Sequence, residues 1–323
     1  MPLIGLAVVL ALGLALASLA AEAQPAAKIP RIGLIHVGLD HDPPGLAPLR
    51  KSLRRLGYEE GRTIHLDYRN QVDEDAARAT AQAFVRERVD LIVAFENQAV
   101  RAVQAATSQI PVVFAHVSDP VNAGFVKSVA RPGGNVTGVA DYLGELQDKR
   151  LEIGEMVRLR RLLILTDPTD PATPRLTGDI ERVARQLKVQ LVERSATTEA
   201  DLTKIFAALK KGAVDGMLII SPKLITNFPG QILRLSLEHK IPFAHHRDAL
   251  VEQGALFSYG PDYMEVGQSI AEYIDRIVKG AKPADLPIQQ AARLRLVVKL
   301  KTARAFGITV PQSVLLRANQ LIE

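Results

Sequence analysis

Polar side chains in this sequence gather directly behind short apolar runs. The run Arg31–Val37 (RIGLIHV) carries His36 into Gly38 and Asp40. Residues 90–95 (DLIVAF) lead into Glu96, Asn97 and Gln98, and residues 111–117 (PVVFAHV) into Ser118 and Asp119. Later, Arg161–Thr166 (RLLILT) leads to Asp167, Pro168 and Asp170. Residues 216–220 (GMLII) lead to Ser221, Pro222 and Lys223, and residues 241–245 (IPFAH) to His246, Arg247 and Asp248. Carboxylates, amides, hydroxyls and an amine so placed can hold a small polar molecule by directed hydrogen bonds and charge pairs. They can also serve as acid and base. Taken singly, Asn97, Ser118 and Asp119 each have a plainer reading as a cap of a helix or turn. Their coincidence behind successive runs is what favours a site.

Catalysis has little else to support it. The chain holds no G-x-S-x-G, no H-E-x-x-H, no phosphate-binding G-x-x-x-x-G-K-[ST], and no G-x-G-x-x-G after a strand. A hydrolase or racemase using Glu96, Asp119 or a strand-end histidine remains the enzymatic alternative. His36, His116, His245 and His246 fall at the ends of apolar runs, where they could converge with Glu96 or Asp119 on a metal. Adjacent residues of a strand point to opposite faces, so His245 and His246 cannot share one, and no metal-ligand spacing recurs. The expectation is polar lining or hydrogen-bonded core histidine, with no metal and no cofactor. There are no cysteines, which excludes thiol catalysis, cysteine zinc sites, disulfides and a lipid-modified cysteine. That absence suits an oxidising compartment.

The apolar runs alternate with helical patterns. Strands are predicted at Arg31–Val37, 63–68, 90–95 and 111–117, and again at Arg161–Thr166, 189–193, 216–220 and 241–245. Between them lie helices over 48–56, 73–88, from an N-cap at Asn97 to 108, and 224–239. Thr198 and Asp201 resemble a capping box ahead of the stripe Leu202, Ile205, Phe206, Leu209. A short helix is expected to open at Pro120, another over 263–279, and two more over 299–306 and 314–322. Strands alternating with helices give parallel sheets with right-handed crossovers, and continuous apolar strands are covered on both faces. The fold class is therefore α/β, with two doubly wound parallel-sheet lobes joined by a multi-strand hinge. Lobe 1 is expected over 28–137 plus 260–287, and lobe 2 over 138–259 plus 288–323. Residues 135–140 (NVTGVA), after Arg131-Pro132-Gly133-Gly134, read as the crossing strand. In such sheets ligands bind outside the carboxyl ends of the strands, where the polar residues stand.

Composition agrees. The chain has 323 residues, 47% hydrophobic and 23% charged, enough for two lobes with real cores. Its formal charge is +5, with Lys and Arg scattered. The densest basic run, residues 50–55 (RKSLRR), reads as a solvated helix face. A nucleic-acid partner is not expected, because no basic stripe or docking motif is present. Residues 2–21 carry no charge, and Ala21-Glu22-Ala23 follows the apolar stretch. Residues 1–23 therefore read as a secretory signal cleaved after Ala23. The alternative is an uncleaved anchor, since about 20 apolar residues span a bilayer. Either reading places the remainder outside the cytoplasm, in the periplasm.

Five stretches, in order, carry a resemblance over nearly all of the mature chain. They are RIGLIHVG; LRRLGYEEGRTIHLDYR; IPVVFAHVSDPVNAGFVKSVARPGGNVTG; LFSYGPDYMEVGQSIAEYIDRIVKGAKPADLPIQ; and LKTARAFGITVPQSVLLRANQLIE. Together they resemble the periplasmic substrate-binding proteins of ABC transporters, in the group that includes tryptophan- and tyrosine-binding members. The resemblance implies a type I periplasmic-binding fold with three crossing segments and a ligand in the cleft. It implies that Glu96–Ala99, Ser118–Pro120, Ser221–Lys223 and Asp248 face that cleft. Two stretches depart from the pattern. Phe95-Glu96-Asn97-Gln98 stands where relatives often carry a small Gly-Thr/Ser-Pro-like turn, and Gln290-Ala291-Ala292-Arg293 where Pro-Thr-Lys-like residues are common. Glu96 adds a negative charge, so ligand identity does not carry over.

The functional expectation is a monomeric extracytoplasmic receptor. It takes a small polar or amphipathic ligand, amino-acid-like or aromatic, and serves an ABC permease in the inner membrane. Asn97 and Asp119 hold the ligand from lobe 1, and Ser221, Lys223 and Asp248 close from lobe 2. Tyr142 or Tyr259 packs on an apolar part. His36, Glu96, Gln98, Ser118 and Asp167 complete the candidate set. A binding domain that signals to a membrane partner is the alternative within the same class.

Overall fold

The structure, a computed structural model, describes residues 28–37, 45–117, 119–141, 143–170 and 172–323. The signal reading and the candidates Ser118 and Tyr142 lie outside the described residues.

The first half builds a parallel sheet from the expected apolar runs. β1 (Arg31–Val37) is followed by α1 (Leu46–Arg55), β2 (His65–Gln71) and α2 (Glu74–Arg86). Then come β3 (Leu91–Phe95), α3 (Glu96–Ala106), β4 (Val112–Val117) and β5 (Val136–Ala140). Asp73 caps α2 by accepting the Ala76 N–H at 2.8 Å, which satisfies a donor the helix itself cannot. Successive residues of a strand feed opposite cores. Leu34 and Val93 pack with Leu49 and Leu53, while Ile35 and Ile92 pack with Phe84 and Val103. All of these are nearly fully buried, and each such side chain contributes roughly 1.5–3 kcal/mol relative to exposure.

The second half repeats the plan. α4 (Leu143–Met156), β6 (Arg161–Thr166), α5 (Thr173–Leu187), β7 (Gln190–Ser195) and α6 (Glu199–Ala208) come first. β8 (Gly216–Ile219), α7 (Pro222–Asn227), α8 (Pro229–Glu238), β9 (Phe243–His245), α9 (Asp248–Gln253) and β10 (Phe257–Pro261) follow. The capping box on α6 forms as the sequence implies, with Thr198 and Asp201 exchanging bonds. The chain then returns with α10 (Tyr263–Val278) and β11 (Gln289–Gln290), and ends with β12 (Leu294–Lys299), α11 (Leu300–Ala305), α12 (Gln312–Leu315) and β13 (Gln320–Ile322).

One sheet has the order β11-β5-β4-β3-β1-β2 and is parallel throughout. The other has the order β13-β12-β10-β9-β8-β6-β7 and is parallel except between β10 and β12. α10 lies across the first sheet, with Val266, Ile270 and Ile274 in its core. The chain changes sheet after Ala140, between Pro261 and Tyr263, and between Gln290 and Leu294. Among the described residues, no helix is long and apolar enough to cross a membrane.

Four local expectations are corrected. Residues 136–140 are not the crossing itself: β5 is a wholly buried strand hydrogen-bonded between β4 and β11, so the chain leaves the first sheet only after it. No helix opens at Pro120. Gly124 takes φ +74° after a single turn, and the Phe125 N–H bonds back to the Pro120 carbonyl at 3.0 Å. The helix expected over 224–239 is two helices, because Pro229 forces Phe228 out of helical geometry. The helix expected over 314–322 stops at Leu315, and Gln320–Ile322 pairs with β12 instead. The Asn319 side chain accepts the Leu296 N–H at 2.8 Å and draws the tail onto the sheet edge.

Candidate ligand-binding site

A cleft of about 210 Å³ lies where strand ends of both sheets meet, and residues from both line it. The first-sheet side contributes Glu74 from α2 and Glu96, Asn97, Gln98 and Arg101 from α3, with His116 and Asp141 from the ends of β4 and β5. The second contributes Thr169, Asp170, Lys223, Thr226, His246 and Arg247. The volume lies below the ~300–1,000 Å³ usual for drug-sized ligands, so the space suits a small molecule rather than a chain of sugars or a peptide.

The first-sheet rim is set in an unusual backbone. Glu96, His116 and Asp119 have φ of 69°, 57° and 50°, in the left-handed region that non-glycine residues seldom enter. Such residues cost of order 1–3 kcal/mol each and cluster where function over-determines them. His116 owes its position to a break in register between β4 and β5 at Ala115/Val117. A bulge of this kind re-aims one side chain. Gly138 makes the close strand approach possible: a Cβ there would stand 2.2 Å from the Phe114 carbonyl oxygen.

Glu96 is the centre of the site. Its carboxylate pairs with the Arg247 guanidinium, accepts the Thr226 hydroxyl at 2.5 Å, and lies 3.6 Å from His36 Nε2. Burial alone would raise its pKa. Arg247, His36 and Thr226 outweigh that and hold it well below the usual carboxylate range. Arg247 is 3% exposed, and Glu96 joins it across the two sheets. The Arg247 backbone N–H donates to His245 Nδ1 at 3.2 Å. Burial, with Arg247 and Arg150 nearby, pushes His245 and His246 well below the usual histidine value, so both are neutral. Their rings stand 4.0 Å apart.

In the cleft wall, His116 Nδ1 is 3.2 Å from Asp141 Oδ2, and the Tyr263 ring meets His116 edge-on at 4.9 Å. Arg150 donates its Nε–H to the Tyr259 carbonyl at 2.8 Å, and burial pulls its pKa down to about 10. Among the described residues, Asp141 Oδ1, His116 Nε2, Arg247 Nη1 and Arg150 Nη2 are buried without a hydrogen-bond partner. Buried polar atoms left so are costly, and four in one neighbourhood mark a place prepared to bond something polar. Among the described residues, no group of three or more His, Asp or Glu side chains is placed to hold a metal.

The sequence candidates fall into three groups. Glu96, Asn97, Gln98 and Lys223 line the cleft. Asn97 is not the N-cap of its helix; Phe95 holds that position, and Asn97 stands in the first turn. His36 and Asp167 support lining groups: His36 touches Glu96, and Asp167 lies 3.6 Å from Lys223 Nζ while accepting the Thr169 N–H and hydroxyl at 2.7 and 2.6 Å. Ser221, Asp119, Asp248 and Tyr259 do not line it. The Ser221 hydroxyl donates to Asp170 at 2.6 Å. Asp119 is taken by the Asn122 side chain and by Arg175 of α5. Asp248 accepts the Ser258 hydroxyl at 2.6 Å and lies 3.5 Å from Arg295, so the neighbouring Arg247 reaches the cleft in its place. Tyr259 lines a separate hollow beside the crossings with Gln290, Ala291 and Ala292.

Sequence reasoning passed over Arg247, Thr226, Asp141 and Thr169 as site residues. Arg247 carried a signal, since it stands between two named candidates. Asp141 and Thr226 carried none, because one follows an unexpected register break and the other ends a helix taken to run on.

Comparison with known proteins agrees with this geometry. Residues 34–322 match the family described as ABC transporter substrate binding protein. A tyrosine-binding protein of Clostridioides difficile (strain R20291) is 28% identical over 261 residues, covering 80% of this chain and 75% of the relative. A conserved domain protein from Vibrio cholerae is 29% identical with a TM-score of 0.80, covering 91% of this chain and 100% of that one. A Streptococcus pneumonia ABC domain solved with L-Trp superposes with a TM-score of 0.79 over 91% of this chain and 99% of that one, at 24% identity. These neighbours share the type I periplasmic-binding fold.

Proposed function

This chain belongs to the ABC transporter substrate binding protein family, and from that premise we propose that it is the extracytoplasmic receptor of an import system. It captures a small polar or amphipathic ligand, amino-acid-like or aromatic, between its two lobes and delivers it as a monomer to a membrane permease. No bond is made or broken. The observation that carries this reading is the cleft itself: buried, unpartnered donors and acceptors from both sheets converge on about 210 Å³. A ligand touching both sides binds the closed arrangement better than the open one, and shifts the population by that difference. The tyrosine-binding relative supports an amino-acid-sized guest.

Melting the mature protein in the presence of amino acids, aromatic acids, nucleosides and small amides tests this. A ligand present at 100 times its Kd adds about 2.7 kcal/mol of stability. At least one class is expected to raise Tm, and Asp141→Asn to abolish the rise while the unliganded protein still folds. A screen in which no class raises Tm overturns the reading.

A further inference from the structure

We propose that Glu96 fixes the charge of the ligand: it occupies Arg247 in place of a ligand carboxylate, so the cleft prefers a small amine whose other polar end is uncharged to the corresponding amino acid. This deepens the receptor reading and rests on it.

The charges facing the cleft decide the point. Among the described residues, four carboxylates line it (Glu74, Glu96, Asp141, Asp170) against three cations (Arg101, Lys223, Arg247). Arg101 is held by Glu74 at 2.9 Å, Lys223 lies 3.6 Å from Asp167, and Arg247 is held by Glu96. Adding the two charged groups just behind the lining, Asp167 and Arg150, leaves the excess of one carboxylate unchanged. Each lining cation already has its counter-charge. A ligand carboxylate entering here would find no unpaired cation among the described lining groups, and the interior tolerates such a charge poorly.

The free hydrogen-bonding atoms fit the same class. Asp141 Oδ1 accepts, and its side chain is 2% exposed, so it suits an ammonium. Arg247 Nη1 still has a hydrogen to give, and a carbonyl or hydroxyl oxygen suffices for it. Glu96 is not easily displaced, since Arg247, Thr226 and His36 hold it together and its own backbone at φ 69° aims it there.

Titration calorimetry with L-tyrosine, L-tyrosinamide and tyramine, and with L-leucine and L-leucinamide, tests the proposal. In the wild-type protein the amide is expected to bind at least tenfold more tightly than its acid. Glu96→Gln, which keeps the shape and removes the charge, is expected to reduce that ratio tenfold or invert it. Equal or tighter binding of the acid by wild type overturns this inference and leaves the receptor reading standing. Binding by no compound in the set or in the wider screen overturns both. Should Glu96→Gln fail to fold, the wild-type ratio alone decides.

Discussion

A carboxylate buried between two packed units is unfavourable unless matched, and Glu96 is matched by a guanidinium, a hydroxyl and an imidazole. Its folded pKa lies below the value of about 4.3 it has in an unfolded chain, so the stability it contributes is fully present above that pH. The contribution fades as pH falls below about 4.3 towards the folded value. Glu96→Gln should therefore destabilise the protein at pH 7 by about 3 kcal/mol, the low end for removing one partner of a buried pair, because glutamine keeps the Thr226 bond. Urea unfolding from pH 7 to 3.5 checks this: the gap between wild type and variant should stay constant to about pH 5 and narrow below pH 4.3. A gap that ignores pH would show that Glu96 is not buried as a charge. At this scale the sequence was only half legible. It showed Glu96 as a departure from its relatives, but not that Arg247 rather than Asp248 answers it. One residue of register at the end of β9 decides which of the two reaches the cleft, and no local pattern sets that register.

Elements were more legible than contacts. β1 and β6 have the bounds the apolar runs imply, because a strand covered on both faces must be continuously apolar. The misreadings lie where long-range bonding overrides local pattern: at Pro229, in the tail that pairs with β12, and in β5, which reads as the crossing strand after Gly133-Gly134. Gly138 is in fact fixed by tertiary packing. Its φ of 153° and the 2.2 Å that would separate an added Cβ from Phe114 leave room for no side chain. Gly138→Ala should lower Tm by several degrees, equivalent to about 2 kcal/mol or more for a strained, overpacked site. It should also weaken ligand binding, because the bulge that aims His116 sits on the same strand pair. Differential scanning calorimetry with a parallel titration would show both losses; an unchanged Tm would mean that β4 and β5 yield more easily than their spacing implies.

At the scale of the molecule, two ion pairs among the described residues join one sheet's residues to the other's: the buried Glu96–Arg247 and, at the rim, Asp119–Arg175. Arg175 is 49% exposed, so its pair is worth at most about 1 kcal/mol, or roughly fivefold in affinity if made only on closure. Arg175→Ala should weaken ligand binding by no more than that in 20 mM salt, and by nothing measurable in 1 M, where screening acts within about 3 Å. A larger, salt-independent loss would place Arg175 in contact with the ligand. The threefold passage between sheets has a consequence for the order of synthesis. α10 and β11 complete the first sheet, yet they are translated after five of the second sheet's strands. At about 5–20 residues per second, the ribosome leaves the first sheet's flank bare for on the order of ten seconds. A message cut ahead of Tyr263 therefore encodes a first sheet without Val266, Ile270 and Ile274 over its core, and leaves sticky apolar surface for chaperones and proteases to find.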